Sequence, residues 1–200
     1  MNIGIDIDDT ISNSFETYFG DSQVFDIEEM KGNGQVNNIG NIGCHEYVEN
    51  MYNWDNNSVN RFWDKYFEKT LREATVKSYA PEIIKKLKNE NNKIYLITAR
   101  YEMESIDSVK GLTEEWLRRN NIVYDELVME AKDKLKVAKE YNLDLFIDDS
   151  LKNCKDVSKG NIKTLLYTGI GNLTIDSGNI QKVYSWPQVY NVICKMKNGE

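Results

Sequence analysis

Histidine is almost missing from this sequence: His45 stands alone among 200 residues. Cysteine is scarce, and Cys44, Cys154 and Cys194 form no CxxC pair. An odd, widely spaced set predicts reduced structural thiols in a reducing compartment, not a disulfide framework. A cysteine nucleophile would have to use His45 as its base, which argues against that chemistry. His45 is instead expected to serve surface or packing duty. Long apolar runs are also absent. None approaches the roughly 20 residues that span a bilayer, so no membrane partner is predicted. The short apolar stretch at the N-terminus has no basic segment before it and is broken by Asp6, Asp8 and Asp9. No signal peptide is predicted, and a cytoplasmic location is expected. Cationic excess is missing too. The formal net charge of −7 repels phosphate backbones and excludes duplex nucleic acid as a partner. A small phosphorylated molecule remains compatible with that charge, given a divalent cation and a few local cationic donors.

What is present describes a soluble globular chain, with 40% hydrophobic and 28% charged residues. The length suits one domain, or one domain with a sizeable insertion, and buries enough surface to need no staple. Residues 2–7 read as a short strand, apolar until the carboxylates appear at its C-terminal end. Residues 11–20 look helical. Lys31 to Gly43 is rich in Gly and Asn and reads as a loop or ordered excursion. Residues 45–53 and 58–73 read as two further helices, the second dense in aromatics. After about residue 78 a regular alternation begins. Pro81 fits the first turn of a helix through Leu87. Strands are predicted at Ile94–Thr98, Val123–Met129, Leu143–Ile147, Lys163–Tyr167 and Gln181–Tyr184. Helices are predicted at 106–120, 132–141 and Trp186–Met196. Strands alternating with helices imply an α/β fold: a Rossmann-like three-layer core around a mainly parallel sheet. The core is assigned to residues 1–10 and 76–200. Residues 11–75 are a mostly helical insertion after the first strand.

In an open parallel sheet, ligands bind beyond the carboxyl ends of the strands. Four polar signals fall there: Asp6/Asp8, Thr98, Lys134 and Asp148/Asp149. Each residue type has a use in phosphate-ester hydrolysis. A carboxylate such as Asp6 can attack phosphorus and form an aspartyl phosphate. Asp8 can protonate the leaving alcohol and then activate water. Clustered carboxylates call for a hard cation such as Mg²⁺, with Asp6, the backbone carbonyl of Asp8, and Asp148 as ligands and Asp149 assisting. Thr98 and Lys134 can hold phosphoryl oxygens, and main-chain amides after Asp6 and after Thr98, the latter at Ala99, can add donors. Lys132 competes with Lys134, which is preferred because it follows Asp133 and opens a helical pattern. Arg100 either reaches the substrate phosphate or braces its loop.

The ordered set Asp6-x-Asp8-x-Thr10, Thr98, Lys134, Asp148-Asp149 resembles the four motifs of the haloacid-dehalogenase-like (HAD) phosphatase superfamily. The insertion after the first motif looks like that superfamily's C1 cap. The phrases Asp6-Ile-Asp-Asp-Thr10, Leu96-Ile-Thr-Ala-Arg100, Lys132-Asp-Lys134, Leu145-Phe-Ile-Asp-Asp149 and Val183-Tyr-Ser-Trp186 are similar to those of the 5'(3')-deoxyribonucleotidases, or type C 5'-nucleotidases, and their bacterial relatives. The resemblance implies a Mg²⁺-dependent phosphomonoester hydrolase acting on nucleoside monophosphates, as a monomer or homodimer. Its cap would open to admit substrate and close to exclude water.

Each residue taken singly also has a plainer reading. An Asp pair after a strand is often a turn or cap device, Lys134 could be a solvated helix charge, and Asp149 could cap the helix that follows. The set outweighs these readings. Most cap aromatics are expected to pack internally, with one to three facing the ligand; Phe19 and Trp63 are the choices. Two rivals are a phosphatase of sugar phosphates or phosphoglycolate and a non-catalytic HAD-fold binding protein. A phospho-receiver domain is a third, but it would place its phosphorylated Asp before the Thr and Lys strands, and here Asp148 follows both.

Overall fold

A computed structural model describes residues 1–42 and 47–199; Cys44 and His45 lie outside the described residues. Six strands form one sheet: β1 (Asn2–Ile5), β2 (Lys93–Ile97), β3 (Glu126–Val128), β4 (Leu145–Asp148), β5 (Lys163–Tyr167) and β6 (Gln181–Val183). Their order is β3-β2-β1-β4-β5-β6, and every neighbouring pair is parallel. The sheet is therefore wholly parallel, not merely mainly so. Eight helices accompany it among the described residues. Three of them, α1 (Ser14–Glu28), α2 (Tyr47–Met51) and α3 (Asn56–Glu73), lie between Ser12 and Val76 in the chain, ahead of the helix that leads into β2.

The strands are short and apolar on both faces because both faces are covered. Alternate residues divide between two clusters. Ile94, Leu96, Leu145 and Ile147 pack with Leu87 of α4 (Ala80–Asn89), Trp116 of α5 (Val109–Arg119) and Trp186 of α8 (Trp186–Asn198). Tyr95, Ile97 and Phe146 pack on the opposite side with Ala138 of α6 (Lys134–Glu140) and Val157 of α7 (Leu151–Ser158). These are the three layers that the alternation predicts. Gly4 on central β1 lets the second layer close, since a Cβ there would lie 2.4 Å from Leu143 Cδ1 and 3.1 Å from Phe146 Cδ2.

A third cluster belongs to the inserted helices. Phe15, Tyr18, Phe25, Val59, Phe62 and Tyr66 are buried together, mostly edge to face. The chain leaves the sheet layer at Ser12 and returns at Val76, and these two residues form an isolated antiparallel bridge. Ile11 is fully buried among the core residues of the sheet layer. No described helix is long and apolar enough to cross a membrane. Cys154 and Cys194 are in no disulfide.

Several boundaries differ from the sequence reading. The helix expected at 11–20 starts at Ser14 and runs to Glu28. Its buried face continues past Ser22 to Phe25 and Asp26, whose carboxylate accepts from Trp54 Nε1 (2.8 Å) and Gly34 N (2.9 Å). An acid satisfied in this way does not end the helix. β3 shrinks to three residues at the sheet edge. Ser150, not Asp149, caps α7, accepting from Asn153 N at 3.2 Å. A 3-10 turn at Ile170–Asn172 has no counterpart in the predicted elements.

Phe62 is fully buried at the centre of the inserted helices. Phe62→Ala is expected to lower unfolding free energy by about 3–5 kcal/mol. Urea denaturation checks this, and a loss under about 1 kcal/mol would mean that the cluster collapses around the hole.

Candidate active site

The strand order reverses direction between β1 and β4, which makes a crevice at their carboxyl ends. Asp6 follows β1 and Asp148 ends β4; both are buried, and Asp6 N donates to Ile147 O at 2.9 Å. Lys134, the first residue of α6, reaches between them. Its Nζ is 2.7 Å from Asp6 Oδ1 and 3.9 Å from Asp148 Oδ2, and it also donates to the Ile97 carbonyl. Lys132, by contrast, is exposed and its ammonium lies over the Tyr101 ring. Asp133, between them, caps α6 by accepting from Lys136 N.

Arg100 braces its loop and does not point a free charge into the crevice. Its Nε and Nη2 donate to Asp8 Oδ2 (2.9 Å) and Oδ1 (2.7 Å), and Nη1 donates to Thr113 Oγ1 (3.0 Å). Ser14 Oγ donates to Asp8 Oδ1 at 2.7 Å, so the first turn of α1 holds the same carboxylate. Thr98 is buried at the end of β2, and its hydroxyl accepts from Arg100 N at 3.2 Å. Asp148 accepts from Ser150 N (2.7 Å) and from Asn153 Nδ2.

These residues floor a cavity of about 280 Å³. Asp6, Asp8, Thr98, Ala99, Arg100, Lys134, Asp148 and Asp149 all line it. Its roof comes from the inserted helices, chiefly Tyr18, Trp63, Phe67 and Leu71, and its side from Tyr101 and Met103. Trp63 lines the cavity. Phe19 does not line it; its ring packs on Phe15 at 5.3 Å within the aromatic cluster.

A haloacid dehalogenase-like family hydrolase from Streptococcus pneumoniae shares this fold, with a TM-score of 0.66 over 96% of this chain and 97% of that one, at 12% identity. A Bacillus subtilis protein with a nucleotidase name, YqfW, is 29% identical over 93% of this chain and 90% of its own length. A nucleotidase of Clostridium acetobutylicum is 30% identical over 98% of this chain and 95% of its own. The chain belongs to the family of these nucleotidases. It is a phosphatase whose fold is shared by haloacid dehalogenase-like hydrolases. No family model matches the sequence.

The charges of this phosphatase are arranged in opposition. Burial raises the Asp6 pKa from 3.8 to about 7, with Lys134 opposing and Asp148 and Asp8 adding to the rise. Burial likewise raises Asp148, again against Lys134. Asp8 goes the other way. Burial disfavours its charge, but the Arg100 guanidinium, together with the Ser14 hydroxyl and Lys134, outweighs burial and holds the carboxyl below its ordinary value. Burial also works against the Lys134 charge, yet Asp6 and Asp148 outweigh it and keep that ammonium above the usual lysine value. Asp9, beside the site, is raised to about 7 by burial, with Lys77 opposing.

Sequence reasoning missed the residues that hold the motif side chains. Ser14, Thr113 and Asn153 are ordinary helix residues in sequence and become partners only in space. Asn153 alone carried a local signal, since it sits one turn after the strand-end acid pair.

Between pH 3.8 and about 7 the native phosphatase holds protons on Asp6 and Asp9 that the unfolded chain releases. Stability contributed this way is full below that window and lost as pH rises through it. In a chelator, the urea midpoint is expected to be higher at pH 5 than at pH 7, and Asp6→Asn should flatten part of that slope. A slope unchanged in the variant would contradict the raised Asp6 pKa.

Proposed function

We propose that this chain is a Mg²⁺-dependent nucleoside-monophosphate phosphatase that works through a phosphorylated Asp6. The observation that carries the reading is Asp6 itself: a buried carboxylate at the switch point of the sheet, 2.7 Å from Lys134 Nζ, on the floor of an aromatic-roofed cavity.

Among the described residues no three His, Cys, Asp or Glu side chains form a ready-made metal cluster. The donors present still fit a hard cation. Asp6 and Asp148 are buried carboxylates pushed toward protonation, and every candidate donor is oxygen. Asp6, the Asp8 backbone carbonyl and Asp148 would hold Mg²⁺, with Asp149 assisting. When bound, it would neutralise charge on the phosphoryl oxygens.

The protein's own groups account for the proton and bond changes. Asp6 attacks phosphorus, the ester P–O bond breaks, and Asp8 gives its proton to the departing alcohol. Water then attacks the aspartyl phosphate, Asp8 takes the water proton, and inorganic phosphate leaves. Arg100 keeps Asp8 ionised in the free enzyme, which suits the second step. A phosphate dianion beside Asp8 raises its pKa, so that Asp8 takes up a proton from solvent as substrate binds and gives it in the first. Lys134, Thr98 and the Ala99 amide hold the phosphoryl oxygens. A base over Trp63, Tyr18 and Phe67 accounts for the apolar roof. The nucleotidase names of the relatives support the same substrate class.

Asp6→Asn is expected to lower turnover of a nucleoside monophosphate with Mg²⁺ by more than about a thousandfold while the circular dichroism spectrum stays unchanged. Phosphate release at the parent rate would end the mechanism. Trp63→Ala removes about 1–3 kcal/mol of stacking and should raise KM for nucleotides about tenfold or more. The same variant should change KM for a sugar phosphate little, and equal parent rates on sugar phosphates and nucleotides would count against the substrate class.

A further inference from the structure

The Gly- and Asn-rich stretch has no part in the mechanism above, yet it is held from two sides. On the side of the inserted helices, Asn37 N donates to Met51 O (2.9 Å), Asn38 Nδ2 to Asn50 O (3.1 Å) and Asn50 Nδ2 to Ile42 O (2.6 Å). On the core side, Ile42 N donates to Gly171 O at 2.9 Å. Gly40 O accepts from both Thr174 N (2.8 Å) and Thr174 Oγ1 (2.9 Å). Gly40 has a φ of +86°, and a Cβ there would sit 3.2 Å from the Thr174 side chain, so glycine permits the approach. Three hydrogen bonds thus clasp the cap loop to the turn at 170–174, remote in sequence from the crossing at Ser12 and Val76.

The core half of this clasp is tied to the active site by one side chain. Asn172 is 4% exposed. Its Nδ2 donates to Asp149 O (2.7 Å) and Tyr167 O (2.9 Å), and its Oδ1 accepts from Gly169 N (2.8 Å). It therefore joins the backbone just past β4, the end of β5 and the start of the turn. Two donors and an acceptor on a short side chain are what an asparagine offers; an aspartate keeps the acceptor and loses both donors. Replacing the amide removes the hydrogen bonds to both buried carbonyls, which tie the turn to the Asp149 peptide.

We propose that Asn172 is a positioning residue that couples docking of the cap loop to the placement of the Asp149 backbone. Its kinetic consequence rests on the reading of Asp6 and its neighbours as the reacting site; its structural consequence does not. Coupling of this kind is reciprocal. Loosening the clasp must loosen the chain after β4, and loosening that chain must free the cap loop.

The test combines hydrogen–deuterium exchange with steady-state hydrolysis of a nucleoside monophosphate in Asn172→Asp, Thr174→Val and the parent. Exchange is followed with and without Mg²⁺ and orthovanadate. Thr174→Val removes one clasp bond and touches nothing at β4. It is expected to speed exchange of the Ile42 amide about three- to tenfold, and that of the Ser150 amide in the same direction. In hydrolysis it should act mainly on KM. Asn172→Asp is expected to speed exchange across 37–42, far from its own position, and to lower kcat. Unaltered exchange at Ser150 in Thr174→Val would overturn the coupling, as would unaltered exchange at 37–42 in a folded Asn172→Asp. Should Asn172→Asp fail to fold, Thr174→Val decides alone. If the parent hydrolyses no phosphate ester, the proposed function fails while the exchange result still judges the clasp.

Discussion

Everything at the carboxyl end of this sheet depends on Lys134 standing between Asp6 and Asp148. Two carboxylates from neighbouring strands would repel one another in a site that water scarcely reaches. The ammonium offsets that repulsion, and each carboxylate in turn keeps the ammonium charged. Removing one member of such a buried set leaves the others uncompensated, at a cost of about 3–5 kcal/mol. The order of strands makes the arrangement available: β1 and β4 are neighbours only because the winding reverses there. A ligand entering the crevice meets acids already held apart and a cation already placed.

Arg100 and Asp8 form the second charge pair. The Arg100 fork, with Ser14 on the other flank, fixes Asp8 between the loop after β2 and the first turn of α1. That turn begins the inserted helices. The proposed acid–base residue is thus in contact with the element that carries the roof, so a change in the roof's position reaches Asp8 through one hydroxyl.

The strand ends were legible because a parallel sheet leaves little choice about where its polar residues fall. Asp6, Thr98 and Asp148 each follow a short apolar run, and the ends of such runs lie in one crevice. Lys134 was legible from its place at the start of a helical pattern. The roof was not. Helical spacing marks an apolar face but not what that face meets, and the inserted helices have two such faces. Phe62 points into their own cluster while its neighbour Trp63 meets the cavity. Phe19 and Tyr18 divide the other way from the expectation for Phe19. The length of α1 was hidden by Asp26, a buried acid whose partners, Trp54 and Gly34, come from later in the chain. The turn at 170–172 was hidden for a similar reason: Asn172 is explained only by carbonyls from two different strand ends.

The paired crossing at Ser12 and Val76 bears on how such a molecule can change over generations. Residues opposite one another in an antiparallel bridge have Cα atoms about 5 Å apart. More than sixty intervening residues therefore begin and end at almost the same point in space. Lineages could lengthen, shorten or exchange that excursion without shifting the register of any strand. The reacting groups would be inherited from the sheet, while the choice of molecule admitted above them drifts on its own.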